Sequence, residues 1–227
     1  MTITISDAGE TVSLTSSTSI TANYPGATVA GDRVFLVVRS WFDGGTFSFA
    51  ASGFTSIASV DIPISGADSR LQVFTKIAAS ETDATVTRTA NGFPPGVLQG
   101  WAVHVFTANG VASYDPSAAT DTQADGFTSF QPADLSFTAA DIVAVSIVSQ
   151  PGVDDFGGSG PDGVSISEQY RFETATTSPF TPFNYTVSST WPTGCITFGL
   201  SEIPVALPPS GGWTWGHLPF GARTSGF

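Results

Sequence analysis

Short apolar or alternating runs, separated by turn residues, recur along the chain. Residues 33–41, RVFLVVRSW, form a nearly continuous apolar run that is rich in β-branched and aromatic side chains. A run of this length and composition predicts a central strand that is buried on both faces. In residues 70–78, RLQVFTKIA, Leu71 and Val73 alternate with polar neighbours. That alternation predicts a strand with one core face, and it leaves Phe74 as an exception on the polar face.

Similar runs predict about nine or ten strands and no helix. The other predicted strands are residues 54–62, 84–90, 100–110, 141–152, 164–172, 183–189 and 194–203. Residues 111–135 are polar and contain proline, so we expect a long loop that crosses from one sheet to the other. The spacing of strands and turns predicts an all-β fold, a single antiparallel β-sandwich of jelly-roll-like type over residues 1–204.

Composition narrows the classes of protein that the chain can represent. The net charge is −12, only 11% of residues are charged, and the seven basic residues are spread singly. No row of phosphates can be neutralised by such a pattern, so nucleic acid is not an expected partner. Cys195 is the single cysteine, which excludes an internal disulfide framework. The first ten residues lack a basic and apolar leader and no apolar run has the length of a bilayer span, so we expect neither an ordinary signal peptide nor membrane insertion.

Residues 205–227 are predicted to be a linker followed by an attachment tail. Pro208-Pro209 and Gly211-Gly212 cannot continue a central strand and make a stiff, then flexible, connector. The candidate anchors beyond it are Trp213, Trp215, His217, Leu218, Phe220 and Phe227. These side chains either fold back on their own domain or dock on a neighbouring subunit, and the second interpretation is favoured.

Catalytic motifs give little support to an enzyme. Residues 158–163, GSGPDG, match a nucleotide-binding glycine pattern, but Pro161 and a following strand leave no helix to hold a pyrophosphate. His104 lies in the middle of a predicted strand and is interpreted as an ordinary strand residue. Glu168 and Glu173 lie on one strand and at its end, which is no signal for glycoside hydrolysis. We therefore expect a non-enzymatic protein without a cofactor.

Two weaker candidate sites remain. Three carboxylates in a glycine-rich segment have the ligand type that calcium prefers, although such turns are usually solvated. They are Asp154, Asp155 and Asp162. Trp41, Phe42 and Asp43 precede a Gly-Gly turn, where an aromatic face and a carboxylate can bind a sugar ring. The alternative for these three residues is a half-buried hairpin corner.

The order of four segments resembles a known structural module. They are AGDRVFLVVRSW, GFTSIASV, RLQVFTKIAASETDATVTRTANG and GWAVHVFTANGV, in residues 30–112. This order is similar to a β-sandwich module of tailed-bacteriophage minor structural, tail and fibre proteins. The resemblance is confined to residues 30–112, carries no shared catalytic residue, and implies a structural or adhesive role.

The sequence therefore predicts a structural component of a tailed-phage or phage-like virion: a tail, fibre, spike or head-decoration protein. It would be located in the virion after assembly in the bacterial cytoplasm. Its expected partners are other virion proteins, further copies in a homotrimer or another cyclic oligomer, and host surface glycans. The alternative is a carbohydrate-binding module of a secreted or tail-associated glycan-active protein. A glycan-cleaving tail enzyme is a further rival, and it would require two carboxylates that converge in a groove.

Overall fold

A computed structural model describes residues 3–13, 17–41, 46–64, 67–91, 100–124, 126–138, 142–149, 168–186 and 192–202. These residues form antiparallel strands and no helix, which confirms the predicted all-β class. The strands are β1 (Thr4–Ser13), β2 (Ser19–Asn23), β3 (Arg33–Trp41), β4 (Thr46–Ala51), β5 (Thr55–Ile64), β6 (Ala67–Ile77), β7 (Asp83–Asn91), β8 (Gly100–Asn109), β9 (Val111–Gln123), β10 (Ser129–Phe130), β11 (Ile142–Ser149), β12 (Glu168–Ala175), β13 (Tyr185–Thr186) and β14 (Thr193–Glu202).

A five-stranded sheet with the order β1-β8-β3-β6-β5 forms the middle of the described structure. β3 lies at its centre and is hydrogen-bonded to both β6 and β8. Every residue from 34 to 40 is buried, so the prediction of a central strand buried on both faces is confirmed. The continuous apolar run is required because each face of β3 meets a different sheet.

One face of the five-stranded sheet packs against a three-stranded sheet with the order β2-β7-β4. Val34 and Leu36 of β3 share a core cluster here with Phe49 of β4 and Val86 of β7. Phe74 belongs to the same cluster and is only 4% exposed. The prediction of a single core face for β6 was therefore wrong, because the face that carries Phe74 is covered by a second sheet.

The opposite face packs against a four-stranded sheet with the order β12-β11-β14-β9. Phe35 of β3 stacks on Phe106 of β8, with ring centroids 4.8 Å apart, and on Phe198 of β14 at 5.4 Å. All three rings are essentially inaccessible to solvent. This aromatic column joins the two sheets and fixes their spacing.

A two-stranded ribbon of β10 and β13 covers the outer face of the four-stranded sheet. Phe130 and Tyr185 of the ribbon pack on Val148 and Cys195. The Tyr185 hydroxyl donates a hydrogen bond of 3.0 Å to the carbonyl oxygen of Ser146. Burial of Cys195 raises the pKa of its thiol to about 11, so this thiol is not a reactive nucleophile at neutral pH.

The prediction of a loop over residues 111–135 was wrong for the first half of that region. Its first thirteen residues form β9, which pairs with β14. Thr120, Asp121 and Thr122 are exposed on this edge strand, whereas Tyr114 and Ala118 pack against the core. An edge strand with few inward apolar positions has the composition of a loop, so the sequence pattern missed it. The strands β1, β2 and β4 were missed as well.

Candidate functional site

Most of the site residues predicted from sequence lie outside the described residues. This applies to the six tail anchors Trp213, Trp215, His217, Leu218, Phe220 and Phe227. It also applies to the calcium candidates Asp154, Asp155 and Asp162, and to Phe42 and Asp43 of the glycan candidate. Trp41 is the last residue of β3, and its backbone pairs with Gly100. These site predictions therefore stay predictions.

A buried tryptophan, Trp101, lies next to the end of β3. Trp101 of β8 lies opposite Ser40 and is fully buried. Its ring stacks on Phe49 at 5.7 Å, and its indole N–H donates a hydrogen bond of 3.1 Å to the carbonyl oxygen of Ser17. The Arg88 guanidinium lies 5.6 Å from the centre of the same ring. Trp101 is therefore a core anchor beneath this end of the molecule and not an exposed platform.

The cations at this end are engaged by neighbouring groups. Arg88 is 4% exposed, and its burial lowers the pKa of the guanidinium from the usual value. Arg70 makes a two-point ion pair with Asp61, with N–O distances of 2.6 and 3.0 Å. At the opposite end of the sheet, Arg33 lies over the Tyr114 ring at 5.3 Å. Held in this way by rings and carboxylates, these cations serve packing within the protein.

A histidine–carboxylate pair lies at the edge of the five-stranded sheet. The Nε2 atom of His104 is 2.7 Å from the Oδ1 atom of Asp7, which also accepts a 2.7 Å hydrogen bond from the Gly9 amide. His104 is buried, whereas the Asp7 side chain is 52% exposed. A register shift between Asp7 and Gly9 bends β1 at this point. That bend brings the Asp7 carboxylate to the imidazole.

The charge of Asp7 is stabilised within this pair. Partial burial raises the pKa of its carboxyl, but the hydrogen bond and positive charge of His104 and the Gly9 amide together lower that pKa below its usual value. A carboxylate can orient an imidazole for proton transfer when a nucleophile lies on the other side. Here His104 pairs with Val37 on β3 and with Glu10 on β1, and Asp7 pairs with Phe106, so no hydroxyl or thiol side chain occupies these paired positions. The arrangement therefore fastens β1 to β8.

The sequence could not identify this pair. His104 and Asp7 are 97 positions apart, and the sequence places His104 in an ordinary strand pattern. The local sequence feature at this point is Gly9. In the structure its φ is 81°, a bulge conformation that few other residues would tolerate.

No protein-family model, curated protein or solved structure matches the chain.

The described residues contain neither a cluster of metal ligands nor a helix that could span a bilayer. Within the ranges that the structure describes, no three His, Cys, Asp or Glu side chains converge to hold a metal ion. No helix in that part of the chain has the length and apolar character needed to cross a bilayer. The polar contacts described above join neighbouring strands and segments of the stacked sheets.

Replacement of Asp7 by asparagine tests the pair through pH. Because the folded-state pKa of Asp7 is lowered, its charge stabilises the fold above pH 3.8 and this contribution is lost as the pH falls further. The side chain is half exposed, so we expect Asp7→Asn to cost less than about 1 kcal/mol near pH 6. The cost should shrink as the pH falls below 3.8 and through the lowered folded-state pKa of Asp7. Urea unfolding of both proteins at pH 6 and over a series of lower pH values measures it, and a cost that does not change with pH would contradict the assignment.

Proposed function

We propose that the chain is a non-enzymatic structural component of a tailed-phage or phage-like virion. The proposal rests on the position in the fold of the four segments that carry the resemblance. The four segments that resemble the phage module contain β3, β7 and β8 and most of β5 and β6, in chain order. They supply the centre of the five-stranded sheet and the middle strand of the three-stranded sheet. The segments thus contribute to one packed unit, as a rigid structural module requires.

The layered architecture also supports a structural role. The middle sheet is covered on both faces, and the ribbon of β10 and β13 covers a further face. Stacked sheets with interlocked aromatic side chains resist deformation because their packing density leaves little room for movement. The jelly-roll-like sandwich over residues 1–204, the attachment tail 205–227 and assembly as a homotrimer or another cyclic oligomer belong to the same proposal. So do its location in the virion, its contacts with other virion proteins and its contact with host surface glycans.

Removal of the tail tests the proposal. Residues 1–206 and the full chain would each be supplied to particles that assemble without the native chain. We expect the shortened chain to keep its β circular dichroism and unfolding midpoint, but to be absent from purified particles. The full chain should be incorporated, because the tail supplies its anchor to a neighbouring subunit.

Two other results would count against the proposal. A full chain that is not incorporated into particles would contradict a virion role. A shortened chain that loses several kcal/mol of stability would show that the tail aromatic residues belong to the core of their own domain. That result would favour the alternative function, with Trp41, Phe42 and Asp43 as a carbohydrate-binding site.

A further inference from the structure

β1 is an edge strand whose two halves are held differently. It lies at one end of the five-stranded sheet, where β8 is its neighbour in the sheet. In the first half of β1, Ile5 packs in the core between the two larger sheets, next to the buried Ile3 that precedes the strand. The second half, residues 9–13, follows the register shift, and its Thr11 is exposed. At the junction of the two halves, Asp7 contacts His104 of β8. A change in this contact can therefore alter how the second half is held without disturbing the apolar first half.

Charged residues on both neighbouring strands lie close to His104. On β1, the Asp7 carboxylate contacts the imidazole at 2.7 Å, and Glu10 is directly opposite His104 in the ladder. On β3, Val37 pairs with His104, and Arg39 lies two positions further along. Because residues two positions apart share a face of a sheet, Arg39 is on the same face as the imidazole. The negative residues thus belong to β1, and the positive residue belongs to β3.

The four-stranded sheet covers this face of β8 and also carries titratable residues. Ile147 of β11 and Phe106 of β8 belong to the same core cluster. On β12, Glu168 pairs with Ser149 of β11, and Tyr170 pairs with Ile147. Both titratable residues stay with the four-stranded sheet when the second half of β1 moves. Their influence on the charge of His104 is therefore common to the attached and the detached state of β1.

The protonated form of His104 gains most from the presence of β1. A hydrogen bond between charged partners is roughly twice as strong as one between neutral groups. Burial raises the pKa of Asp7, yet the hydrogen bond and positive charge of His104, with the Gly9 amide, bring that pKa below its usual value. Coupling between two groups is reciprocal, so the Asp7 charge favours the protonated imidazole. Burial of His104 opposes this, but the Asp7 side chain is 52% exposed, so water still reaches the pair and limits that penalty.

We propose that protonation of His104 controls how firmly the second half of β1 is held on β8. The contact is strongest where the imidazole is protonated and Asp7 is ionised. It weakens as the pH rises through the range of about 5 to 8 in which imidazoles lose their proton. The second half of β1 then detaches more often and leaves β8 as the edge of the sheet, with unpaired backbone groups. The proposal does not depend on the virion role, since it concerns the purified chain alone.

Hydrogen exchange of the full chain, followed by mass spectrometry, measures the opening of β1. Peptides from β1 and β5 would be compared at about pH 5.5 and about pH 8, after correction for the intrinsic exchange rate at each pH. β5 is the internal reference, because it is the opposite edge strand of the same sheet and contains no histidine. We expect the opening equilibrium of β1 to rise by about three- to tenfold between these conditions, and that of β5 to change by less than about twofold. An opening of β1 that does not rise more than that of β5 would overturn the proposal.

The two histidines of the chain provide a matched pair of variants. His104→Gln removes the titrating group but keeps an amide that can donate a hydrogen bond to Asp7. The opening of β1 in this variant should change by less than about twofold between the two pH values. His217→Gln removes the other histidine and should retain the full pH dependence. Loss of the dependence in His217→Gln, or its persistence in His104→Gln, would contradict control by His104.

Asp7→Asn tests the same contact from its exposed side, where a substitution leaves the core unchanged. This variant retains His104 but removes the charge that the imidazole contacts. The rise in opening of β1 with pH should again fall below about twofold. A rise that persists in Asp7→Asn would contradict the proposal, because the effect would then come from another neighbour of His104 such as Glu10 or Tyr170.

Discussion

Replacement of Phe35 by alanine is expected to lower the free energy of unfolding by about 3–5 kcal/mol. Phe35 is completely buried and stacks on Phe106 within its own sheet and on Phe198 of the four-stranded sheet. Truncation removes the buried ring area and leaves a cavity between two sheets. Neither sheet can relax fully into that cavity, because other apolar pairs fix the distance between them. Urea unfolding followed by circular dichroism measures the loss.

Phe127 offers a matched control for this truncation. It is the same residue type but is 54% exposed. Phe127→Ala should change the free energy of unfolding by no more than about 0.5 kcal/mol. Phe35→Leu keeps most of the volume and should cost about 1.5 kcal/mol or less. If Phe35→Ala were no more costly than Phe127→Ala, the aromatic column would not join the two sheets.

Replacement of Gly194 by alanine is expected to destabilise the protein by about 1–3 kcal/mol through overpacking. Gly194 lies near the start of β14, directly against β5 of the neighbouring sheet. A Cβ atom at this position would lie 2.5 Å from Cγ1 and 2.8 Å from Cδ1 of Ile62. Ile62 is fully buried, so its side chain cannot turn into solvent to make room. The four-stranded sheet would have to shift away from the five-stranded sheet.

A double-mutant cycle shows whether Ile62 is the cause. Ile62→Ala alone should cost about 2–5 kcal/mol because it leaves a cavity. In the double variant the added methyl group occupies part of that cavity, so the combined cost should be smaller than the sum by at least about 0.5 kcal/mol. Gly26→Ala is the control for glycine replacement, since nothing lies within 4 Å of its added Cβ atom. Additive costs for Gly194 and Ile62 would contradict the close approach of the two strands.

The strands with a continuous or strictly alternating apolar pattern were predictable. Residues 33–41 coincide with β3, and residues 194–203 differ from β14 by a single position at each end. β9 was not predictable, because an edge strand of an outer sheet needs few inward apolar side chains. Its polar positions, including Asp121, resemble those of a loop. A local sequence pattern identifies a strand only where that strand buries several apolar side chains.

The candidate site was predictable to a smaller extent. Of the predicted glycan residues, the structure describes only the backbone of Trp41, at the end of β3. The pair of His104 and Asp7 was missed, and so were the contacts of the buried Trp101 with Phe49 and Ser17. Each of these contacts joins residues that are far apart in sequence. Their formation depends on strand order, which periodicity does not contain.

Sequence alone shows that this protein is built of β-strands, because alternation, β-branched residues and turn signals act over a few neighbouring positions. It also shows that β3 is buried on both faces, since no polar side chain interrupts residues 34–38. The sheet that covers each face is set by the tertiary structure. The same tertiary structure buries Phe74 in a second core and brings Asp7 to His104. These outcomes depend on how sheets pair and stack, which is a long-range property of the whole chain.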